Sequence, residues 1–269
     1  MQRRRSSRTR VWAAALGIVA AGPALAGPAR AQVEPPLALL EPGYLLSVGE
    51  IVDRDAWRDA ETVVGAVGET RVDDRTQTQH DLLYVPRVVG GRTLAPGDRL
   101  QFFRLDRRIE DPATREPLGD LLLPTGIGTV DSLAGETARV RVDAAFHPIV
   151  VGDRVRLVTG VEAVAPAAIG SATSGGRIVA FQEEKAIHPP FDRMFLRPEG
   201  AGGMAPGQLV ELYRPGDASA GVRLPDEVLG RAMVVRVDGA LVAAVSFELD
   251  RSDLAPGDLF RPLPAASAD

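Results

Sequence analysis

The sequence predicts an all-β protein: tandem small β-barrel or β-sandwich modules built on a repeated Pro-Gly-Asp turn, preceded by a signal peptide. Three observations predict it. Short apolar runs alternate with polar residues, as in RLQFFRL (99–105), TARVRVD (137–143) and RAMVVRV (231–237). Period-two patterning of this kind marks half-buried strands. Between the runs, 28 glycines and 21 prolines act as punctuation. Finally, one turn recurs four times, as LAPGDRL (94–100), VVGDRV (150–155), MAPGQLV (204–210) and LAPGDLF (254–260).

The turn has a physical logic. Proline fixes the φ wanted at the second position of a type II turn, and glycine supplies the positive φ at the third. The aspartate can then accept a nearby backbone N–H before the next strand begins. The residues carrying this expectation are Gly97, Asp98, Gly152, Asp153, Gly207, Gly257 and Asp258, with Val151 in place of proline and Gln208 in place of aspartate. The units that follow Gly97 and Gly207 also match in order. Leu118-Gly119 pairs with Leu229-Gly230, Asp131 with Asp238, and Ala138 with Ala243. That is a repeat signal. Only DRDAWRDAETVV (53–64) reads as a short helix.

The first 31 residues read as an export leader: a basic stretch, a short apolar run, then small-x-small sites at Ala24-Leu25-Ala26 and Ala29-Arg30-Ala31, the second preferred. The apolar run is about half the ~20 residues a spanning helix needs, so no transmembrane segment is expected after cleavage. The expected divisions are a signal peptide (1–31), a partly β N-terminal segment (32–92), a first β module (93–162), a linker (163–175) and a second β module (176–269). The leader holds six of the 31 basic residues and no acid. The remaining 25 face 36 acidic ones, a net charge near −11. Such a surface argues against nucleic acid as a partner. There is no cysteine, which excludes disulfides, thiolate metal sites and thiol catalysis. Lys185 is the one lysine beside thirty arginines, read as compositional bias.

Candidate chemistry is sparse. His80, His147 and His188 lack metal-ligand spacing and read as solvated or capping residues. The adjacent carboxylates, such as Glu110-Asp111 and Glu183-Glu184, read as solvated loops, because paired acid–base work needs convergence from separate elements. No nucleophile elbow or phosphate-binding loop is present. Tyr44 and Trp57 could stack on a sugar ring, though packing is the commoner role for such aromatics. No catalytic, cofactor-binding or metal-ligating residue is therefore named.

The order of GDRLQFFR (97–104), EDPATREPLG (110–119), HPIVVGDRV (147–155), GRIVAF (176–181), APGQLVELYRPG (205–216) and VRLPDEVLGRAMVVRV (222–237) resembles the C-terminal region of bacterial LysM-containing envelope proteins. The resemblance covers about two thirds of the chain. It implies tandem β modules in a protein of the cell envelope, near peptidoglycan. The stretch GYLLSVGEIVDRDAW (43–57) keeps Tyr44, Val48 and Gly49 of a LysM but lacks its Asp-Thr pair, so the LysM itself is missing by this reading. The resulting expectation is a non-enzymatic, exported scaffold or binding module, periplasmic or extracellular, partnered by peptidoglycan or an envelope protein. The alternatives are a periplasmic cell-wall-active enzyme and a subunit of an envelope assembly.

Overall fold

The computed structural model describes residues 37–58, 60–66, 78–160, 170–172, 174–200, 203–219 and 222–263. The expected leader (1–31) and most of the expected linker lie outside the described residues.

Strands dominate. A 3₁₀ turn (Leu37–Leu40) and a one-turn helix, α1 (Pro42–Leu45), precede β1 (Glu50–Val52), and a second 3₁₀ turn spans Arg54–Trp57. Then come β2 (Gly65–Ala66), β3 (Leu82–Pro86), β4 (Val88–Val89), β5 (Arg92–Thr93), β6 (Arg99–Glu110), β7 (Pro117–Ala134), β8 (Thr137–Ala145) and β9 (Arg154–Leu157). These are followed by β10 (Gly170–Ser171), β11 (Gly176–Phe181), β12 (Arg193–Pro198), β13 (Gln208–Arg214), β14 (Ala218–Ser219) and β15 (Val222–Arg223). The last three are β16 (Glu227–Asp238), β17 (Leu241–Leu249) and β18 (Leu259–Pro262).

Two rings result. In the second, β11, β12, β17, β16, β13 and β18 pair in that order and β18 returns to β11, so six strands close on themselves. In the first, β3, β8, β7, β6 and β9 pair in series. Residues 61–66 close that ring: Thr62 bridges Arg154, the Val63 N–H donates to the Asp153 carbonyl at 2.8 Å, and β2 pairs with β3. Taking 61–66 as the first strand, each ring has the same strand order, 1-2-5-4-3-6. Closure leaves the ring strands no unpaired edge, which is how small antiparallel sheets avoid edge-to-edge association.

The short helix expected over 53–64 is corrected to the 3₁₀ turn Arg54–Trp57 followed by the extended segment that closes the first ring. Ring closure satisfies more backbone groups here than a short isolated helix would. The first ring thus draws on residues 61–66 and on β3 (Leu82–Pro86).

Each ring has its own core. Leu83, Val85, Leu100, Phe102, Val140 and Val155 fill the first. Ile178, Met194, Leu212, Val234, Ala244 and Phe260 fill the second. A third cluster lies between the rings. Val179, Phe195, Met233, Val235, Ala243 and Val245 point outward from the second ring onto Ile109 and Leu121 of the first and Leu39 and Val48 of the N-terminal segment. This explains why β16 and β17 read as nearly unbroken apolar runs: both of their faces are covered.

The four turns share one geometry. Gly97, Gly152, Gly207 and Gly257 have φ between 88° and 102°, where only glycine sits without strain. In each, the side chain after the glycine accepts the N–H three residues earlier: Asp98 from Ala95 at 2.8 Å, Asp153 from Val150 at 3.1 Å, Gln208 from Ala205 at 2.9 Å and Asp258 from Ala255 at 2.8 Å. Two of the carboxylates also hold an arginine in a bidentate fork. Arg104 Nε and Nη2 reach Asp153 at 2.9 and 3.0 Å, and Arg214 Nε and Nη2 reach Asp258 at 2.8 and 2.9 Å. Each arginine also donates to a carbonyl five residues before its aspartate, that of Pro148 or Asp253. His80 and Phe191, both at positive φ, likewise occupy matching places, donating to the carbonyls of Val142 and Ser246.

Candidate functional site

The N-terminal segment positions the site. Residues 37–52 run as a strap between the rings and are bonded to both. Gln182, buried at the end of β11, accepts from the Gly49 N–H at 2.6 Å and donates to the Ser47 carbonyl at 3.1 Å. From the first ring, Gln101 donates to the Leu46 carbonyl. Glu50 takes Arg156 of β9 at 2.7 Å, with Arg236 of β16 at 3.6 Å. Burial pushes the Glu50 carboxyl up, but the hydrogen bond from Arg156 and the two guanidinium charges outweigh it, leaving the group below its ordinary value. Direct links add to the strap: Arg107 donates to the Phe181 carbonyl at 2.6 Å, and Arg197 pairs with Asp111 at 2.9 Å.

Beside this junction lies a cleft of about 600 Å³ lined by both rings, within the usual size of small-ligand sites. Ile109 from β6 and Val179, Phe181 and Leu254 from the second ring supply apolar surface. His188 lies against Phe181 with ring centroids 3.6 Å apart and planes 20° from parallel. Its Nδ1 is 2.7 Å from Asp192 Oδ2, and both side chains are almost wholly buried.

A chain of charges runs outward from this pair. Asp192 Oδ1 lies 3.6 Å from Lys185 Nζ, Lys185 is 2.9 Å from Glu183, and Glu183 is 4.0 Å from Nε2 of His147 on the first ring. The Glu183 hydrogen bond, with Asp192 nearby, holds Lys185 above the ordinary ammonium range, and Lys185 in turn lowers Glu183. Burial lowers His147. Lys185 is thus a fixed cation, not a nucleophilic amine. Other rim cations are Arg107, 2.9 Å from Glu184, and Arg108 and Arg115. Arg115 reaches only Glu110, at 3.9 Å, while Arg108 is exposed and has no ion pair or side-chain hydrogen bond among the described residues.

A second, more polar hollow of about 680 Å³ lies on the other side of Arg108, beside Asp53, Arg54 and Asp120. There Arg54 and Asp120 pair at 2.8 Å.

Tyr44 and Trp57 are not brought together. The Tyr44 hydroxyl donates to the Phe191 carbonyl at 3.2 Å, and Arg193 sits 4.9 Å over its ring. Trp57 is tilted against Phe103 at 5.8 Å, with Arg156 5.7 Å from its ring centre. Both are half-buried packing residues, each already stacked by an arginine. The turn residues at 97–98, 152–153, 207 and 257–258 organise strands and, Asp153 and Asp258 apart, hold no guanidinium fork.

The residues that sequence reasoning passed over are Lys185, His188 and Asp192. His188 reads as a solvated loop residue beside Pro189-Pro190; it is buried, held by an aspartate four residues on and stacked on a strand-end phenylalanine. The lone lysine was the visible signal. Among the described residues, no cluster of three or more histidine, cysteine, aspartate or glutamate side chains is placed to hold a metal ion, and no helix is long and apolar enough to cross a membrane. No family model matches the chain, and no curated protein matches it in a sequence search.

Proposed function

We propose that this protein is a non-enzymatic, exported component of the bacterial cell envelope, in which two copies of one barrel unit form a scaffold that binds a ligand at their junction. The observation that carries the binding role is the cleft, because its walls come from both rings and the strap fixes those walls to each other. The copy relation is supported by the common strand order and by the paired Arg104–Asp153 and Arg214–Asp258 forks. Export and the envelope setting rest on the leader-like residues 1–31 and on the resemblance to LysM-containing proteins. Peptidoglycan is the ligand class that fits that setting, with an envelope protein as the other partner.

One observation favours a cell-wall-active enzyme instead: the His188–Asp192 pair has the arrangement of a general base held by a carboxylate. Among the described residues no serine, threonine, tyrosine or cysteine lines the cleft, however, and the Glu183 hydrogen bond holds Lys185 above the ordinary ammonium range. The pair reads better as a packed wall that anchors the loop.

The test is co-sedimentation of residues 32–269 with purified sacculi. The expected result is saturable pelleting with no release of soluble wall fragments. Protein left wholly in the supernatant would remove peptidoglycan as the ligand, and release of fragments would establish the enzyme.

A further inference from the structure

We propose that the groove between the rings is a peptide-recognition site for the strap, and that a second copy of this chain supplies its strap to it in trans, giving a strap-exchanged dimer. The inference is independent of the cleft and of the envelope setting.

The strap is held as a bound peptide is held. It supplies no strand to either six-strand ring, and only β1 at its end pairs with a ring strand, along Asp120–Leu122 of β7. Ahead of β1, every carbonyl from Leu46 to Gly49 accepts from a ring side chain. Gln101 donates to Leu46, Gln182 to Ser47 at 3.1 Å, and Arg236 to Val48 at 3.1 Å and, through its other Nη, to Gly49. Main-chain bonds of this kind give a peptide site affinity, and the positions between them give it selectivity. Three positions are selective. Val48 is buried in the apolar layer between the rings. A Cβ on Gly49 would lie 3.1 Å from Leu121 Cδ1 and the Leu122 carbonyl and 3.2 Å from Gln182 Oε1, so anything larger than glycine crowds both rings. Glu50 meets Arg156 at 2.7 Å and Arg236 at 3.6 Å. A second copy carries the same apolar-Gly-acid segment. The strap opens the described fold and is joined covalently to the first ring through residues 53–60, so it changes partner without threading a loop. Fully extended, that connection reaches roughly 28 Å. The exchanged form keeps every strap contact and gives up the Arg54–Asp120 pair and the packing of Trp57 on Phe103. Release of the strap uncovers Leu39, Val48 and the apolar layer beneath them. Folded copies therefore trade straps slowly, and folding is the step at which a chain's own strap and a neighbour's compete.

The chain has no cysteine, which makes the exchange readable. Ile51 of β1 faces Leu121 of β7 as its Cα partner, a separation that a disulfide spans. Chains of residues 32–269 carrying Ile51→Cys or Leu121→Cys are unfolded in urea, mixed, refolded together at high concentration and oxidised. The expected result is a disulfide between the two different chains, seen as a dimer on a non-reducing gel. Its yield should fall roughly tenfold or more when the Ile51→Cys chain also carries Gly49→Val, the consequence of overpacking the groove. Monomers alone, with both variants folded by circular dichroism, would overturn the exchange, and so would a dimer yield that Gly49→Val leaves unchanged. A second measurement avoids the core substitution. With a protease site inserted after the exposed Arg58, the folded chain is cut once and the groove alone holds the strap. A fluorescein-labelled peptide of residues 37–57 should replace the cut strap, read as a rise in anisotropy, and its Gly49→Val form should bind roughly tenfold or more weakly. Failure of the wild-type peptide to bind would overturn the groove as a recognition site. Peptide binding without a cross-linked dimer would keep the groove and overturn the second copy as its source.

Discussion

Replacing Glu50 by alanine should cost about 1.5–3 kcal/mol of stability, the range for losing charge-assisted hydrogen bonds at a partly buried site. Glu50 stands where strap, first ring and second ring meet, with Arg156 at 2.7 Å and Arg236 at 3.6 Å. Its removal leaves two guanidinium groups at the junction without the carboxylate they share. Urea unfolding monitored by circular dichroism measures the loss, and Glu50→Gln, which keeps the shape and one acceptor, should lose less. The same residue sets a pH dependence. A carboxyl held below its unfolded value adds stability that is fully present above the unfolded pKa and fades as pH falls through the folded one. Wild type should therefore lose stability more steeply than Glu50→Gln as pH drops below the ordinary glutamate range near 4.5. Parallel pH profiles for the two proteins would contradict this.

The second large effect tests the copy relation. Asp153→Ala and Asp258→Ala each remove an arginine fork and a turn-closing acceptor, leaving Arg104 or Arg214 without its main partner. The hydrogen bond to Asp258 holds Arg214 well above the ordinary guanidinium range. Each variant should lose about 3 kcal/mol. Because the two sites are built alike, the losses should agree within about 1 kcal/mol. Because they share no partner, the double variant should be additive within roughly 0.5 kcal/mol. Thermal or urea unfolding of the three variants decides it. A loss at one site only would mean that the two forks do different jobs.

Much of the fold could be read in advance for a physical reason. Strand alternation and the Pro-Gly-Asp turns are local signals, set by side-chain direction and by φ, so the all-β class and the barrel form hold. Ring closure by 61–66 was not legible: a two-residue strand such as Gly65–Ala66 carries no period, and the segment's pairing is fixed by Leu83 and Tyr84 on one side and by Arg154, bridged to Thr62, on the other. The strap was hidden for a similar reason. Leu39, Val48 and Gly49 are informative only once Gln182 and Met233 are seen beside them. The cleft was the least legible of all. His188 and Asp192 have helical spacing in a segment that is not a helix, and their burial comes from Phe181 and from the Ser252 carbonyl that accepts the His188 N–H.

The strap makes the two barrels one body, with a cleft at their seam. Native-state hydrogen exchange of residues 32–269 tests this most directly, because strap and ring amides report local and global opening separately. The Gly49 amide, bonded to Gln182, and those of β1 should exchange with the same opening free energy as the core amides of β7 and β16. Fast exchange of the strap beside slow exchange of both rings would contradict the account, leaving two barrels tethered by a loose segment and no fixed seam between them.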